Sequence, residues 1–304
     1  MSLANHEAIL QTARQHWALG SATIALVAAR ENQVYRVENE AGLITALRLH
    51  RQGYRTEQEI HAELQWMDML AGHGMPVPKP VNATNGSPVT IIDGVIVDML
   101  TWVEGTPLSK VTITTKHYHQ LGRLLANMHQ LADQCSISLA RPTWDLLGEQ
   151  PTWDRFWENP QLIATQRKLF ERFRQQATDE LAALHQPDIG LIHADLVPDN
   201  VLVNGDQLHP IDFDDGGYGY RLFDLATVTI RTGRMSDGAA LADAAIAGYC
   251  TERTADVDRL PLFEALRACT YVGWNISRMG EAGGVERNWR FVAEAEKAVS
   301  RVRG

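Results

Sequence analysis

The sequence predicts an α+β protein of two lobes, a small antiparallel-sheet lobe over residues 1–101 and a mainly helical lobe over residues 102–304. A chain of 304 residues is longer than one hydrophobic core usually serves, which favours two lobes. Short apolar runs separated by turn residues dominate residues 22–100, as in antiparallel sheets. From residue 115 onward, apolar residues recur at helical spacing instead.

The first lobe opens with a predicted helix over residues 3–18 and continues as strands. Asp93-Gly94 predicts a hairpin, because this dipeptide adopts the two-residue turn that joins antiparallel strands. The predicted strands are residues 22–27, 34–37, 43–49, 89–92 and 95–100. Together they form a five-stranded antiparallel sheet.

A helix is predicted between the third and fourth strands, over residues 56–70. Thr56 and Glu59 have the spacing of a capping box, in which each side chain bonds the backbone of the other residue. Glu59 therefore has a structural task. Glu63, one turn further on, is left free to reach the third strand.

The second lobe begins with a predicted helix over residues 115–131, and Ala-rich helices fill residues 222–302. Between them, residues 139–160 form an irregular, proline-interrupted segment rich in large aromatic residues. These are Trp144, Trp153, Phe156 and Trp157. Such a cluster is typical of packing beneath a loop, and it also suits a lid or wall of a substrate pocket.

Composition excludes several classes of protein. A formal charge of -9 argues against nucleic acid or an anionic membrane as the partner, since those surfaces attract a basic face. The three cysteines form no C-x-x-C pair, which argues against a disulfide framework or zinc ribbon. No signal-peptide core and no apolar run of membrane-spanning length is present. The sequence therefore predicts a soluble cytoplasmic protein.

Two loops place polar residues between apolar, strand-like runs, one within residues 191–203 and the other within residues 211–215. Asp195 is expected to orient an acceptor hydroxyl and take its proton. Asn200 and Asp212 present the oxygen ligands that Mg²⁺ prefers. His193 follows apolar neighbours and is expected to hold the loop backbone. This combination predicts phosphoryl transfer.

A metal hydrolase is the alternative interpretation of the same two loops, with imidazole and carboxylate ligands around Zn, Mn or Fe. One residue argues against it: His209 precedes Pro210 at the base of the strand that leads to Asp212, which places the imidazole away from the loop. The ligands of such a site would be His193, Asp195, His209, Asp212, Asp214 and Asp215.

These motifs resemble the aminoglycoside phosphotransferase and choline kinase family, whose members have a protein-kinase-like fold. The resemblance rests on HADLVPDN at residues 193–200 and IDFDD at residues 211–215. Further matches lie at residues 121–129 and 219–226, so that most of the chain is covered. The most similar branch is the homoserine-kinase-like and bacterial serine/threonine-kinase-like one.

The resemblance implies the use of ATP and Mg²⁺ and assigns roles to individual residues. Asp195 is the catalytic base, and Asp224 braces the catalytic loop. The implied Mg²⁺ ligands are Asn200 and Asp212. The backbone that hydrogen-bonds adenine belongs to Met99, Leu100 and Thr101.

The third strand departs from the family pattern. Arg48 stands where the family has a lysine that binds the α and β phosphates and pairs with a helix glutamate, here Glu63. A guanidinium keeps the charge and binds a carboxylate or a phosphate with two N–H groups. The corner at residues 30–32 also lacks a glycine-rich loop, and Asn32 with the local backbone amides is expected to contact the phosphates instead.

The sequence thus predicts an ATP- and Mg²⁺-dependent kinase that phosphorylates a hydroxyl of a small molecule. An amino acid or amino alcohol such as homoserine suits the branch resemblance, and an aminoglycoside is the next candidate. Two alternatives stay open: a protein serine/threonine kinase of the same fold, and a nucleotide-binding regulator without turnover, which Arg48 and the missing glycine loop suggest.

Overall fold

The computed structural model describes residues 3–29, 32–135 and 138–302. The chain divides into two compact units. The sheet unit comprises Met1–Pro107, Ile137–Arg141 and Val201–Asp214, and the helical unit comprises Leu108–Ser136, Pro142–Asn200 and Asp215–Gly304. The domain boundary at residue 101 stays a prediction, because compactness alone defines these units.

The sheet unit contains the predicted antiparallel sheet of five strands. Its order is β1-β2-β3-β5-β4, so β5 lies beside β3 and β4 is an edge strand. At the predicted hairpin, Asp93 and Gly94 have φ angles of 50° and 75°, which confirms the tight turn. The strands are β1 (Thr23–Ala29), β2 (Gln33–Glu38), β3 (Ile44–Leu49), β4 (Val89–Ile92) and β5 (Val95–Thr101).

Two helices belong to this unit, α1 (Leu3–His16) and α2 (Glu57–Gly72). The predicted capping box at the start of α2 is confirmed, because Thr56 and Glu59 each bond the other's backbone N–H. A second, three-stranded sheet has the order β6-β8-β9. Its strands are β6 (Thr106–Pro107), β8 (Val201–Asn204) and β9 (Gln207–Pro210).

The helical unit contains six α-helices and a two-stranded sheet among its described residues. Within it, α3 and α6 touch through their backbones: a Cβ added at Gly122 would lie 2.0 Å from the carbonyl oxygen of Ala245. The helices are α3 (Thr115–Gln134), α4 (Ala164–Ala182), α5 (Arg221–Ile230), α6 (Gly238–Glu252), α7 (Leu260–Trp274) and α8 (Gly284–Val302). The strands are β7 (Ile189–Ile192) and β10 (Gly217–Tyr220).

The aromatic-rich segment is mostly buried. Trp144, Phe156 and Trp157 are 6%, 2% and 4% exposed, and Phe156 contacts Phe170 edge-on at 5.8 Å. Side chains buried to this extent pack the unit, and this favours the packing interpretation over the lid for these three residues.

The predicted fold class is confirmed: an antiparallel sheet lobe precedes a mainly helical one. Among the described helices, none combines the length and apolar character needed to cross a membrane.

Candidate active site

The loop that follows β7 is fastened to α5 by one carboxylate. Asp224 accepts the backbone N–H groups of His193 and Ala194, each at 2.6 Å. Ala194 has φ +66°, a left-handed conformation that is costly for a residue with a Cβ. Fixing both N–H groups holds this strained turn in place and sets the direction of the residue that follows, Asp195.

Asp224 is itself held by a buried histidine on α3. His129 Nε2 lies 3.1 Å from the Asp224 carboxylate, and its Nδ1 lies 2.8 Å from the Tyr249 hydroxyl. Burial alone would raise the pKa of Asp224, but these hydrogen bonds and the neighbouring imidazoles keep that pKa below its ordinary value. The brace is therefore an ionised carboxylate, the stronger hydrogen-bond acceptor.

Asp195 is held at both carboxylate oxygens. Asn200 Nδ2 donates to Oδ2 at 2.9 Å, and Arg267 Nη2 donates to Oδ1 at 2.6 Å. Burial raises the pKa of the Asp195 carboxyl, and the charges of Arg267 and Arg231 oppose part of the rise. The side chain keeps 30% of its surface exposed, so the carboxylate is oriented and still accessible to a substrate.

Arg267 was not among the residues predicted from sequence. It lies on α7, is only 3% exposed, and stacks with its guanidinium carbon 4.3 Å from the Tyr271 ring centroid. A guanidinium buried against an aromatic ring has little freedom to move, which makes it a firm anchor for Asp195. The available signal was a single arginine within a mostly apolar helix of residues 260–274.

Asp212 follows β9 in the sheet unit and, like Ala194, has φ +66°. The next residue, Phe213, is fully buried and meets the Trp66 ring edge-on at 5.2 Å. Arg141, which the sequence did not indicate, donates to the carbonyl oxygens of Phe213 at 3.2 Å and Asp214 at 2.5 Å. Burial of Phe213 and the Arg141 bonds therefore fix the backbone that presents Asp212.

Arg48 lies inside a buried ionic cluster of the sheet unit. Its Nη1 donates to Glu63 at 2.8 Å, and its Nε and Nη2 donate to Asp98 at 2.8 and 2.7 Å. His50 Nε2 also lies 2.7 Å from Asp98, and Arg141 lies 3.6 Å from Glu63. The structure thus brings Arg48 and Glu63 together, and it adds Asp98, a lone carboxylate in the apolar strand β5.

The charges of this cluster are paired with opposite charges. Burial would lower the pKa of Arg48, yet Asp98 and Glu63 hold it well above its ordinary value. Burial would likewise raise the pKa of Asp98, but Arg48 and His50 hold it below the usual range. The bonds to carboxylates use three of the five N–H groups of the Arg48 guanidinium. At most two remain for a phosphate.

Asn32 and the end of β5 were the other predicted nucleotide contacts. Asn32 Oδ1 accepts the backbone N–H of Arg51 at 3.2 Å, while the neighbouring Arg30 and Glu31 lie outside the described residues. Backbone groups of the connector before β4 reach β5, where the Val81 N–H donates to Met99 at 2.7 Å and Thr101 donates to Lys79 at 2.8 Å.

Leu100, the third predicted adenine contact, pairs with Ala46 of β3 in the sheet. The sheet unit therefore engages the Met99 carbonyl and the Thr101 N–H, and it places Leu100 beside Ala46. The next backbone along the chain is that of Val103 and Glu104, beyond the end of β5.

Each predicted metal ligand carries oxygen, the donor atom that a hard divalent cation prefers. In the helical unit, the Nδ2 of Asn200 is committed to Asp195, which leaves its Oδ1 as the ligand atom, and in the sheet unit Asp212 carries a carboxylate. A metal-hydrolase site needs more protein ligands, and no three His, Cys, Asp or Glu side chains gather around a metal position in the described part of the chain. His209 instead bonds the Pro76 carbonyl at 3.1 Å.

The chain is similar to known phosphotransferases in sequence. The sequence pattern of the phosphotransferase enzyme family matches residues 23–263. A homoserine kinase of Chelativorans sp. is 30% identical over 203 residues, which span 65% of this chain and 60% of that protein. The match thus covers less than two thirds of the relative's length.

Solved structures show the same likeness in three dimensions. A microcompartment-associated aminopropanol kinase has 26% identity and a TM-score of 0.81, over 96% of this chain and 94% of that one. An amicoumacin kinase solved with AMP-PNP and Ca²⁺ has 21% identity and a TM-score of 0.80, over 97% and 94% of the two chains. At that identity the second likeness supports the fold alone.

Proposed function

The chain belongs to the phosphotransferase enzyme family, and on that premise we propose that it transfers the γ-phosphoryl group of ATP to a hydroxyl of a small molecule. One observation carries the proposal: Asp195 is held at both oxygens, in a loop braced by Asp224, and still keeps an exposed surface. That is the arrangement a base needs to orient a hydroxyl.

In the proposed step, the acceptor oxygen forms a bond to the γ-phosphorus. The bond from that phosphorus to the oxygen of the leaving ADP breaks, and the hydroxyl proton passes to Asp195. Asp195 takes the proton late, when the acceptor oxygen has become acidic. Asn200 and Asp212 would hold Mg²⁺ through their side-chain oxygens, and the ion would neutralise phosphate charge.

For the nucleotide, we propose two changes to the sequence-based assignments. Arg48 organises the buried cluster with Glu63, and any phosphate contact uses only its remaining N–H groups. The adenine contact shifts from Met99, Leu100 and Thr101 toward the backbone of Val103 and Glu104, because the connector bonds the Met99 carbonyl and the Thr101 N–H and Leu100 pairs with Ala46. Asn32 remains a proposed phosphate contact through its Nδ2, since its Oδ1 is bonded to Arg51.

The proposed acceptor is an amino acid or amino alcohol. Relatives named as kinases of homoserine and aminopropanol support this choice. Cys135, Cys250 and Cys269 form no disulfide bond in the described part of the chain, which accords with the proposed reducing cytoplasm, where ATP and such acceptors are available.

An ADP-release assay across amino acids, amino alcohols, aminoglycosides and a generic protein substrate tests the proposal. Asp195→Asn should lower kcat by about 10²- to 10⁴-fold, the usual contribution of a general base, while ATP still raises the melting temperature. The matched control is Asp199→Asn, the same substitution at an exposed carboxylate of the same loop, which should leave kcat unchanged. Full activity of Asp195→Asn removes the base assignment.

The assay also separates the alternatives. ADP release stimulated only by the protein substrate would establish a protein kinase. If no acceptor stimulates ADP release while ATP still raises the melting temperature, the chain is a nucleotide-binding regulator.

A further inference from the structure

Arg231 is a partly buried guanidinium just beyond α5, at the start of a short 3₁₀ helix, Arg231–Arg234. Its Nε donates to the Tyr271 hydroxyl at 3.3 Å, and its guanidinium carbon lies 4.6 Å from the centroid of the same ring. These contacts orient the side chain, but neither of them neutralises its charge.

Two other arginines of the helical unit show what Arg231 lacks. Arg253 contacts Asp133 at 2.6 Å and Asp188 at 2.8 Å. Arg267 contacts Asp195 at 2.6 Å. Among the residues that the structure describes, no carboxylate lies within 4.0 Å of Arg231, because the nearby Glu294 pairs with Arg234 instead. A partly desolvated cation without a carboxylate is an anion-binding group.

Arg231 also stands close to the proposed base. The Tyr271 ring contacts both Arg231 at 4.6 Å and Arg267 at 4.3 Å, and Arg267 binds Asp195 directly. The charge of Arg231 is near enough to lower the pKa of the Asp195 carboxyl. Arg231 and Arg267 therefore share one ring, and Arg267 links that ring to the carboxylate that is proposed to orient the acceptor hydroxyl.

We infer that the acceptor carries a carboxylate and that Arg231 binds it, so the substrates are hydroxy amino acids or hydroxy acids rather than amino alcohols or aminoglycosides. The inference rests on the proposed kinase function and narrows it. A guanidinium binds a carboxylate through two parallel N–H bonds, whereas a polyammonium acceptor would meet repulsion from both arginines.

Two pairs of acceptors isolate the carboxylate. L-Threonine and 1-amino-2-propanol differ by that group alone, as do L-homoserine and 3-amino-1-propanol. The wild type should favour an amino acid over its partner by about 10- to 100-fold in kcat/KM, the value of a charged hydrogen-bonded contact. Arg231→Met should abolish this preference by raising the KM for the amino acid, with the KM for ATP unchanged. Arg231→Lys should recover part of it.

The control variant is Arg259→Met, which removes a 42%-exposed arginine that pairs with Asp256 at 2.8 Å. It should keep the wild-type preference. Calorimetric titration with each acceptor in the presence of AMP-PNP and Mg²⁺ gives a second readout that needs no turnover: the amino acids should bind the wild type and lose about 10- to 100-fold in affinity with Arg231→Met.

The outcomes are distinct. Equal or better turnover of the amino alcohols overturns the inference and leaves the kinase proposal intact. An Arg231→Met variant that raises only the KM for ATP assigns Arg231 to the transferring phosphate and also overturns it. Binding of amino acids through Arg231 without ADP release from any acceptor supports the anion site and overturns the kinase proposal. Absence of both binding and turnover overturns both.

Discussion

Each unit contains a cluster of arginine and carboxylate side chains, and the two clusters differ in the ratio of arginines to carboxylates. In the sheet unit, Arg48 contacts two carboxylates, Asp98 and Glu63, and all three side chains are nearly inaccessible to solvent. In the helical unit, one carboxylate, Asp195, contacts Arg267 and lies under the influence of Arg231 as well. In the first cluster the charges are paired and buried. In the second the acid keeps part of its surface exposed.

We interpret the charges of the sheet cluster as structural and those of the helical cluster as functional. A carboxylate that is wholly buried cannot also receive a substrate, and removing it leaves an uncompensated cation. Asp195 keeps 30% of its side chain exposed, whereas Asp98 keeps none. We therefore expect substitutions in the sheet cluster to change mainly stability and substitutions in the helical cluster to change mainly turnover.

The largest effect should follow from breaking the sheet cluster. Asp98→Asn removes the carboxylate that holds both Arg48 and His50, and it should lower the free energy of unfolding by about 3–5 kcal/mol, as when one partner of a buried ion pair is removed. Urea denaturation measures the loss. The matched control, Asp93→Asn in the exposed hairpin turn, should be neutral, because asparagine also adopts a positive φ.

The same cluster should make the free energy of unfolding fall in acid. The pKa values of Asp98 and Glu63 are lower in the folded protein than in the unfolded chain, so their stabilising effect is complete above the unfolded pKa of about 4 and is lost as the pH falls below it. The free energy of unfolding should therefore fall more steeply with acid in the wild type than in Asp98→Asn. Equal slopes would show that Asp98 is not held ionised.

A smaller effect, on turnover rather than stability, should follow from Arg267→Met. Loss of the 2.6 Å bond frees one side of Asp195 and should lower kcat by about 10- to 100-fold, with the KM for ATP unchanged. Arg267→Lys keeps the charge without the planar fork and should recover part of the loss. Steady-state ADP release measures both variants, and Arg259→Met is the control. A fall in melting temperature at unchanged kcat would make Arg267 purely structural.

The smallest effect should come from the helix that supports the sheet cluster, not from the charged side chains themselves. Thr56→Ala removes the N-cap of α2, the helix that carries Glu63, and should lower the free energy of unfolding by about 1 kcal/mol. Because no charge is removed, the loss should be independent of pH between 5 and 8, as urea titrations at both ends of that range would show. A loss as large as that of Asp98→Asn would show that the helix cap contributes as much to the stability of this region as the ion pairs do.

Much of the site was predictable from sequence because its parts are local. Asp195 and Asn200 share one loop, and the structure joins them by a hydrogen bond of 2.9 Å. The capping box at Thr56 and the hairpin turn at Asp93-Gly94 are each specified within four residues and are confirmed. Neighbouring residues in the chain are necessarily neighbours in space, so such patterns need no tertiary information.

The partners of those residues were decided only by tertiary structure. Arg267 meets Asp195 across 72 residues of sequence, and Arg48 meets Asp98 across 50, because β5 pairs with β3 while β4 lies at the edge. Arg141 comes from an irregular segment without a pattern. Periodicity shows which face of an element is buried but not which element covers it. The sequence by itself determined the reaction class and the loops predicted to carry it, whereas strand order and helix packing decided which charges are buried in pairs and which stay accessible to solvent.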